Sequence, residues 1–419
     1  MTRPPDSLQT NKMKSSDSTY GSSLNSTWLI ALFALFINVM YVLPGMLTAG
    51  SEFIFFVWIL FKGHFQIRKN FVWYASFCLL FLLLTILRDS NPFGGYFSSS
   101  VHCLLIVFLA SNIIRNKEDI ATFIKAYALA GIPVCLYLAP SLLSLFYLDA
   151  SRYVGVSGNG FLDSAISLGH ALMFISICQL WAINHFERNI VKLICTAAFV
   201  FTIILIVLTG TRKALFAPIL FLLLTTYYKK GKSFATLLKY SVVFLVFTGC
   251  LWYIIMHNEV LYHLMGERIL GGLGLFSDVE IDESSQERQE LARGALELVR
   301  DRWLFGVGCD SMLYALGKHA HNNYLSLLCI GGIGLVISYY FVPVRRLFSI
   351  MRNKRKDEID VFSICIISCI LFVDFMASTF NLSQFIVFLS IVTIGEKEFF
   401  GAGSPYEDRK GVFLQTKCM

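Results

Sequence analysis

Charge is scarce in this sequence. Of its 419 residues, 15% are Asp, Glu, Lys or Arg while 56% are hydrophobic. A soluble domain carries about 25% charged residues, so soluble enzymes, disordered chains and collagen-like chains are poor fits. A disulfide framework is missing too. Most of the 11 cysteines, such as Cys78, Cys135, Cys178, Cys195, Cys250, Cys365 and Cys369, lie inside apolar runs, where they act as small hydrophobes. No small-residue cleavage site follows the first apolar run, and the Ser-rich opening is too polar for a signal peptide. Residues 1–27 therefore read as a disordered cytoplasmic tail. No internal repeat is evident.

What the sequence has instead is apolar blocks, with 38 Phe and a mean hydropathy of +0.64. Each block is of the order of 20 residues, the length that crosses a hydrocarbon core of about 30 Å. The blocks predict an all-α polytopic membrane protein with about 12 transmembrane helices. The expected spans are 28–43, 46–62, 71–88, 99–114, 122–148, 161–183, 190–208, 213–228, 239–256, 322–344, 360–380 and 382–395. Helices 1–9 thus occupy 28–256, a large helical periplasmic loop 257–321, helices 10–12 residues 322–395, and a second cytoplasmic tail 396–419.

Lys and Arg set the orientation. One alternate set of loops is basic, its last member alone holding Arg345, Arg346, Arg352, Lys354, Arg355 and Lys356. The short loops of the other set hold only Arg88, Arg152, Arg212 and Lys213. The basic set and both termini are therefore expected in the cytoplasm, and the net charge of +7 reflects these loops rather than nucleic-acid binding.

The outer loop holds a glycine-rich stretch (Gly266 to Gly274) and an acidic run (Asp278, Glu280, Asp282, Glu283). The capping-box pattern Ser284-Ser285-Gln286-Glu287 follows. Arg288, Leu291, Ala292, Ala295, Leu298 and Val299 then have helical spacing up to a glycine turn at Leu304–Gly308. His319 and His321 precede the tenth span. The acidic run reads as solvated loop, and His319 and His321 lack further ligands for a metal. Ionisable groups at membrane depth or at its edge are functional candidates by default. Arg152 and Asp163 flank the start of the sixth span, Arg212 lies in the short turn Thr209–Ala214, and Asp374 lies within the eleventh span.

These elements, taken in order, resemble the bacterial O-antigen ligase/O-antigen polymerase superfamily. The resemblance rests on Thr209-Gly210-Thr211-Arg212, on Glu287-Arg288 through Phe305-Gly306-Val307-Gly308, on His321-Asn322-Asn323-Tyr324-Leu325 and on Gly331-Gly332-Ile333-Gly334-Leu335. Arg152-Tyr153-Val154-Gly155 and Gly158-Asn159-Gly160 are a weaker echo. One departure is Lys213, where many members carry a small residue. The resemblance implies an inverting glycosyltransferase without metal or cofactor, resident in the bacterial inner membrane. The donor would be an undecaprenyl-diphosphate-linked glycan, and the acceptor a lipid-linked repeat unit or lipid A–core. It implies Arg212 and Arg288 at the diphosphate, with Arg152 as a third cation. His321 would be the proton acceptor, with His319 and Asn322 beside it. Polymerase and ligase both remain open, with polymerase favoured. A lipid-linked glycan flippase is the alternative of another class.

Overall fold

A computed structural model of the chain describes residues 17–40, 45–61, 66–88, 95–144, 165–229, 283–353 and 355–394, with scattered helical positions between 238 and 262. Among the described residues there is helix and no strand. The helices are α1 (Asp17–Val39), α2 (Gly45–Phe61), α3 (Lys69–Arg88), α4 (Gly95–Ile113), α5 (Lys117–Leu143), α6 (Ala165–Ile183), α7 (Asn189–Leu208) and α8 (Arg212–Lys229). After the outer loop come α9 (Glu283–Arg300), α10 (Cys309–Leu316), α11 (Asn323–Arg352), α12 (Glu358–Asp374) and α13 (Ser383–Val392). Five of these, α3, α5, α6, α7 and α11, are long and apolar enough to cross a membrane. The chain is thus a multi-pass membrane protein, all-helical among the described residues. The expected ninth span, the glycine-rich stretch, Arg152, Asp163 and the acidic run as far as Asp282 lie wholly or mostly outside the described residues.

Helix α6 is the hub. It packs against α5, α7 and α8, while α8 packs on α12, α3 on α11, and α4 on α13. Its apolar window is 78% buried, against 28% in α7; outward residues of α7 such as Ile190 and Leu193 suit a lipid-facing helix. Aromatic rings fill the interior, with Phe174 stacked on Phe388 at 4.5 Å between centroids.

The two ends of the bundle differ. At one end Asn116 caps α5 and Asp357 caps α12, each accepting a backbone N–H at 2.8 Å. Lys117 binds Asp357 at 2.6 Å and Asp360 at 2.8 Å, and Asp360 also faces Arg346 at 3.5 Å. Carboxylates in the first turn of α12 also suit its dipole. At the other end lie the starts of α6, α8, α11 and α13, the ends of α3 and α12, and the pair α9–α10. The described residues that carry the resemblance collect there.

Helix α11 corrects the expectation of a continuous tenth span over 322–344. At 1.5 Å per residue, Asn323 and Tyr340 would lie about 25 Å apart along a straight helix. Instead, Asn323 Nδ2 donates to Tyr340 Oη at 2.7 Å, and the rings of Tyr324 and Tyr340 stack at 4.7 Å. The break is Gly332, with φ 68° and ψ −166°. Two legs, 323–331 and 333–352, fold into a tight V.

Breaking a helix frees backbone groups that must find partners inside a membrane protein. The turn after α9 supplies them. Val307 N–H donates to Cys329 O at 2.6 Å and Gly308 N–H to Ile330 O at 3.2 Å, while Ile333 N–H donates to Trp303 O at 2.9 Å. Arg88 at the end of α3 donates to Gly306 O. Gly306 (φ 69°) and Gly332 both need the left-handed region, and a Cβ at either would meet the other segment's backbone. The two glycine motifs noted in the sequence are thus the two halves of one joint.

Candidate active site

Helix α9 forms as its spacing predicts. Leu291, Ala295 and Val299 are buried, and Arg288, one turn before Leu291 on the same face, is exposed. Cys329 Sγ of α11 meets Ala295 O at 3.5 Å. The capping-box expectation does not hold. The helix begins at Glu283, which puts Ser284 inside it, and the Glu287 carboxylate pairs with Lys318.

His321 stands at the centre of the arrangement. It precedes the short leg of α11 and has φ 52°, the left-handed region. It is the one non-glycine residue with positive φ among those described. Such conformations cost of order 1–3 kcal/mol and cluster at functional sites. The ring is half-buried. Burial holds its pKa below the ordinary histidine value, and the positive charges of Lys213, Arg288 and Lys318 add to this while Glu287 opposes it. The ring is therefore a neutral base near pH 7. His319 is pushed down to about 4, first by burial and then by His321.

The neighbouring asparagines hold this base in place. Asn322 caps the short leg, accepting from Leu325 N–H at 3.0 Å, and donates to Phe375 O at 2.9 Å. Asn323 is fully buried. Its Oδ1 accepts from the N–H groups of Thr379 and Phe380 at 2.9 and 3.0 Å. Asp374, also fully buried, accepts from Tyr340 Oη at 2.7 Å and from Thr379 Oγ1, with Asn323 Nδ2 at 3.5 Å. The link 375–382 between α12 and α13 is thereby bonded to the residues that follow His321. Sequence reasoning placed only Asn381 between those two spans, so it missed this floor. The polar residues Asp374, Ser378 and Thr379 in an apolar block were the available signal.

Arg212 opens α8, half-buried, one residue before Lys213. Its turn is fastened to α6 through Thr211 Oγ1, which donates to Ala165 O at 2.9 Å. Gly169 permits this approach, because a Cβ there would press on the Thr211 side chain. Lys213 Nζ donates to Met376 O at 3.0 Å. The structure therefore brings His321, Arg288, His319 and Lys213 together and sets Arg212 on the same turn as Lys213, while Arg152 lies outside the described residues. Among the described residues, no group of three or more His, Cys, Asp or Glu side chains could hold a metal.

Residues 197–340 match the family model described as O-Antigen ligase. Over these residues the chain is similar to the O-antigen ligase/polymerase superfamily. The match to the superfamily runs from within α7 to Tyr340 of α11, so it takes in Arg212, Arg288, His319, His321, Asn322 and both halves of the glycine joint. Members of that family are glycosyltransferase-like ligases and polymerases, and the likeness supports an enzyme in general. No curated protein matches the chain.

Proposed function

We propose that the chain is a membrane-embedded inverting glycosyltransferase that moves an undecaprenyl-diphosphate-linked glycan to a hydroxyl acceptor at the periplasmic face of the bacterial inner membrane. The observation that carries this reading is His321. It is a half-buried, neutral base in strained backbone at the start of a folded-back half-helix, with Arg288 and Lys213 beside it.

The acceptor oxygen attacks C1 of the donor sugar from the face opposite the diphosphate. The new O–C1 bond forms as the bond from C1 to the diphosphate oxygen breaks. The acceptor's proton passes to a ring nitrogen of His321, and the electron pair leaves with undecaprenyl diphosphate. Arg212 and Arg288 meet the charge that grows on the leaving group, and cations set in place beforehand lower such a barrier. A guanidinium suits the task because its planar fork binds phosphate oxygens in pairs. Arg152 is proposed as a third cation at the diphosphate. Asn322 and His319 position the ring and the glycan. The diphosphate is already a good leaving group, so the chemistry calls for neither metal nor cofactor.

Twelve spans with both termini cytoplasmic, and the division at 28, 257, 322 and 396, remain part of this proposal. Polymerisation onto a lipid-linked repeat unit is the favoured acceptor reaction. Transfer to lipid A–core is the second reading, supported by the likeness of residues 197–340 to the O-antigen ligase family. The glycan profile of a deletion strain tests them. A single repeat on the core marks a polymerase, and full polymer left on the carrier lipid marks a ligase.

A further inference from the structure

Lys213 is a departure from the superfamily pattern, and the structure gives it a defined place. Its Nζ is hydrogen-bonded to Met376 O at 3.0 Å, while Asn322, next to His321, binds the adjacent carbonyl of Phe375 at 2.9 Å. Two consecutive carbonyls of the link 375–382 therefore fasten the first turn of α8 and the start of α11 to one point. The ammonium group is half-buried and anchored. Its charge acts on His321 across a site from which part of the water is excluded, where Coulomb effects are larger than in bulk water.

We propose that Lys213 is a positioning residue for the transfer reaction: its anchored positive charge stands against protonation of His321 and so keeps that ring available to accept the acceptor's proton. This inference rests on the glycosyl-transfer reading above. The need arises from the substrate. A diphosphate entering the site brings negative charge, which favours the protonated ring, and a protonated ring cannot take a proton. A fixed cation beside the base opposes that shift. Lysine suits this as a compact point charge, whereas the arginines serve the phosphate oxygens.

Among the other charged and titratable groups around His321 and Lys213, Arg288 and Lys318 act in the same direction as Lys213, but the first is exposed and the second is paired with Glu287. Glu287 of α9 acts in the opposite sense and is paired with Lys318. Arg288 of α9 is exposed and assigned to the donor. His319, on the segment after α10, is held down to about 4 and is neutral at working pH. Asp374 of α12 is enclosed by Tyr340, Thr379 and Asn323. His170 of α6 is 2% exposed and lies edge-on to Phe385 at 5.1 Å, with neither ring nitrogen hydrogen-bonded among the described residues.

The test uses the full-length protein in lipid nanodiscs. Diethyl pyrocarbonate reacts with the neutral imidazole, so the pH dependence of His321 modification, read by peptide mass spectrometry, reports its protonation without relying on turnover. The pH profile of glycan transfer is measured in parallel. In Lys213→Met both midpoints move to higher pH, and in Lys213→Arg they stay near the wild-type position. Lys213→Gln serves in the same way if the Met variant inserts poorly. Transfer by the wild type with the same midpoints in Lys213→Met and Lys213→Gln overturns the role of Lys213 alone. An absence of transfer by the wild type overturns the glycosyl-transfer reading and this inference with it.

Discussion

Replacing Gly332 by Ala tests the folded-back half-helix on which the site depends. An L-residue in the left-handed region costs about 1–2 kcal/mol. The added Cβ also meets the backbone of Leu304 and Phe305, and overpacking of this kind costs a further ~1–3 kcal/mol. Backbone cannot swing aside as a side-chain tip can, so the joint should open at a total cost of about 2–5 kcal/mol. Opening would strand the bonds from Val307, Gly308 and Ile333 and release Asn323 from Tyr340. Gly334, two residues on, is the control. A Cβ there meets nothing within 4 Å, and Ala in a helix interior is favoured over Gly by roughly 0.5–1 kcal/mol. Thermal unfolding of both variants in detergent, followed by size-exclusion fluorescence, gives the comparison, with glycan transfer measured alongside. Gly332→Ala should lower the midpoint and nearly abolish transfer, whereas Gly334→Ala should leave both intact. Equal midpoints and equal activity in the two variants would refute the reasoning.

His321→Ala should insert normally and lose transfer by about 10²–10⁴-fold, the contribution of a positioned base, as read by donor consumption in membranes. Arg288→Ala should lower kcat by roughly 10²–10³-fold, and Arg288→Lys should restore only part of it because the paired phosphate contact is lost; a full rescue would point to charge alone. The depressed pKa of His321 places the acid limb of the transfer profile below the ordinary histidine value of about 6.5. Activity should be held above that limb and lost as pH falls through it, which a pH profile of kcat/KM reads directly. Asp374→Asn leaves the Tyr340 and Thr379 hydroxyls with a weaker acceptor set and should destabilise the protein by about 1–3 kcal/mol, measured as a lowered unfolding midpoint.

How much of this was legible follows from the physics of each element. The long apolar runs announce helices because lipid demands internally satisfied backbone, and the structure returns them within a few residues at α3, α6, α7 and α8. Helix α9 was legible from the spacing of Leu291, Ala295 and Val299. The V in α11 was not. Hydropathy is blind to chain direction, so residues 323–331 and 333–352 read as one continuous apolar run. The glycine pair at 331–332 was visible, but its meaning depends on the turn at 303–308, a contact distant in sequence. The same holds for the site. His321, Arg288 and Arg212 stood out as outer-face polar groups, whereas Lys213 looked like a departure until its bond to Met376 gave it a place. Asn322 was expected beside His321, whereas its side chain and that of Asn323 in fact bind the link 375–382.

The central claim is that His321 serves as the base for glycan transfer from a lipid diphosphate. The most direct measurement is transfer by the purified, nanodisc-embedded protein from a defined undecaprenyl-diphosphate-linked glycan, comparing wild type with His321→Ala at matched insertion. The account predicts an inverted anomeric product and stoichiometric release of undecaprenyl diphosphate from the wild type, with both lost in the variant. Undiminished transfer by His321→Ala, or a product of retained configuration, would contradict it.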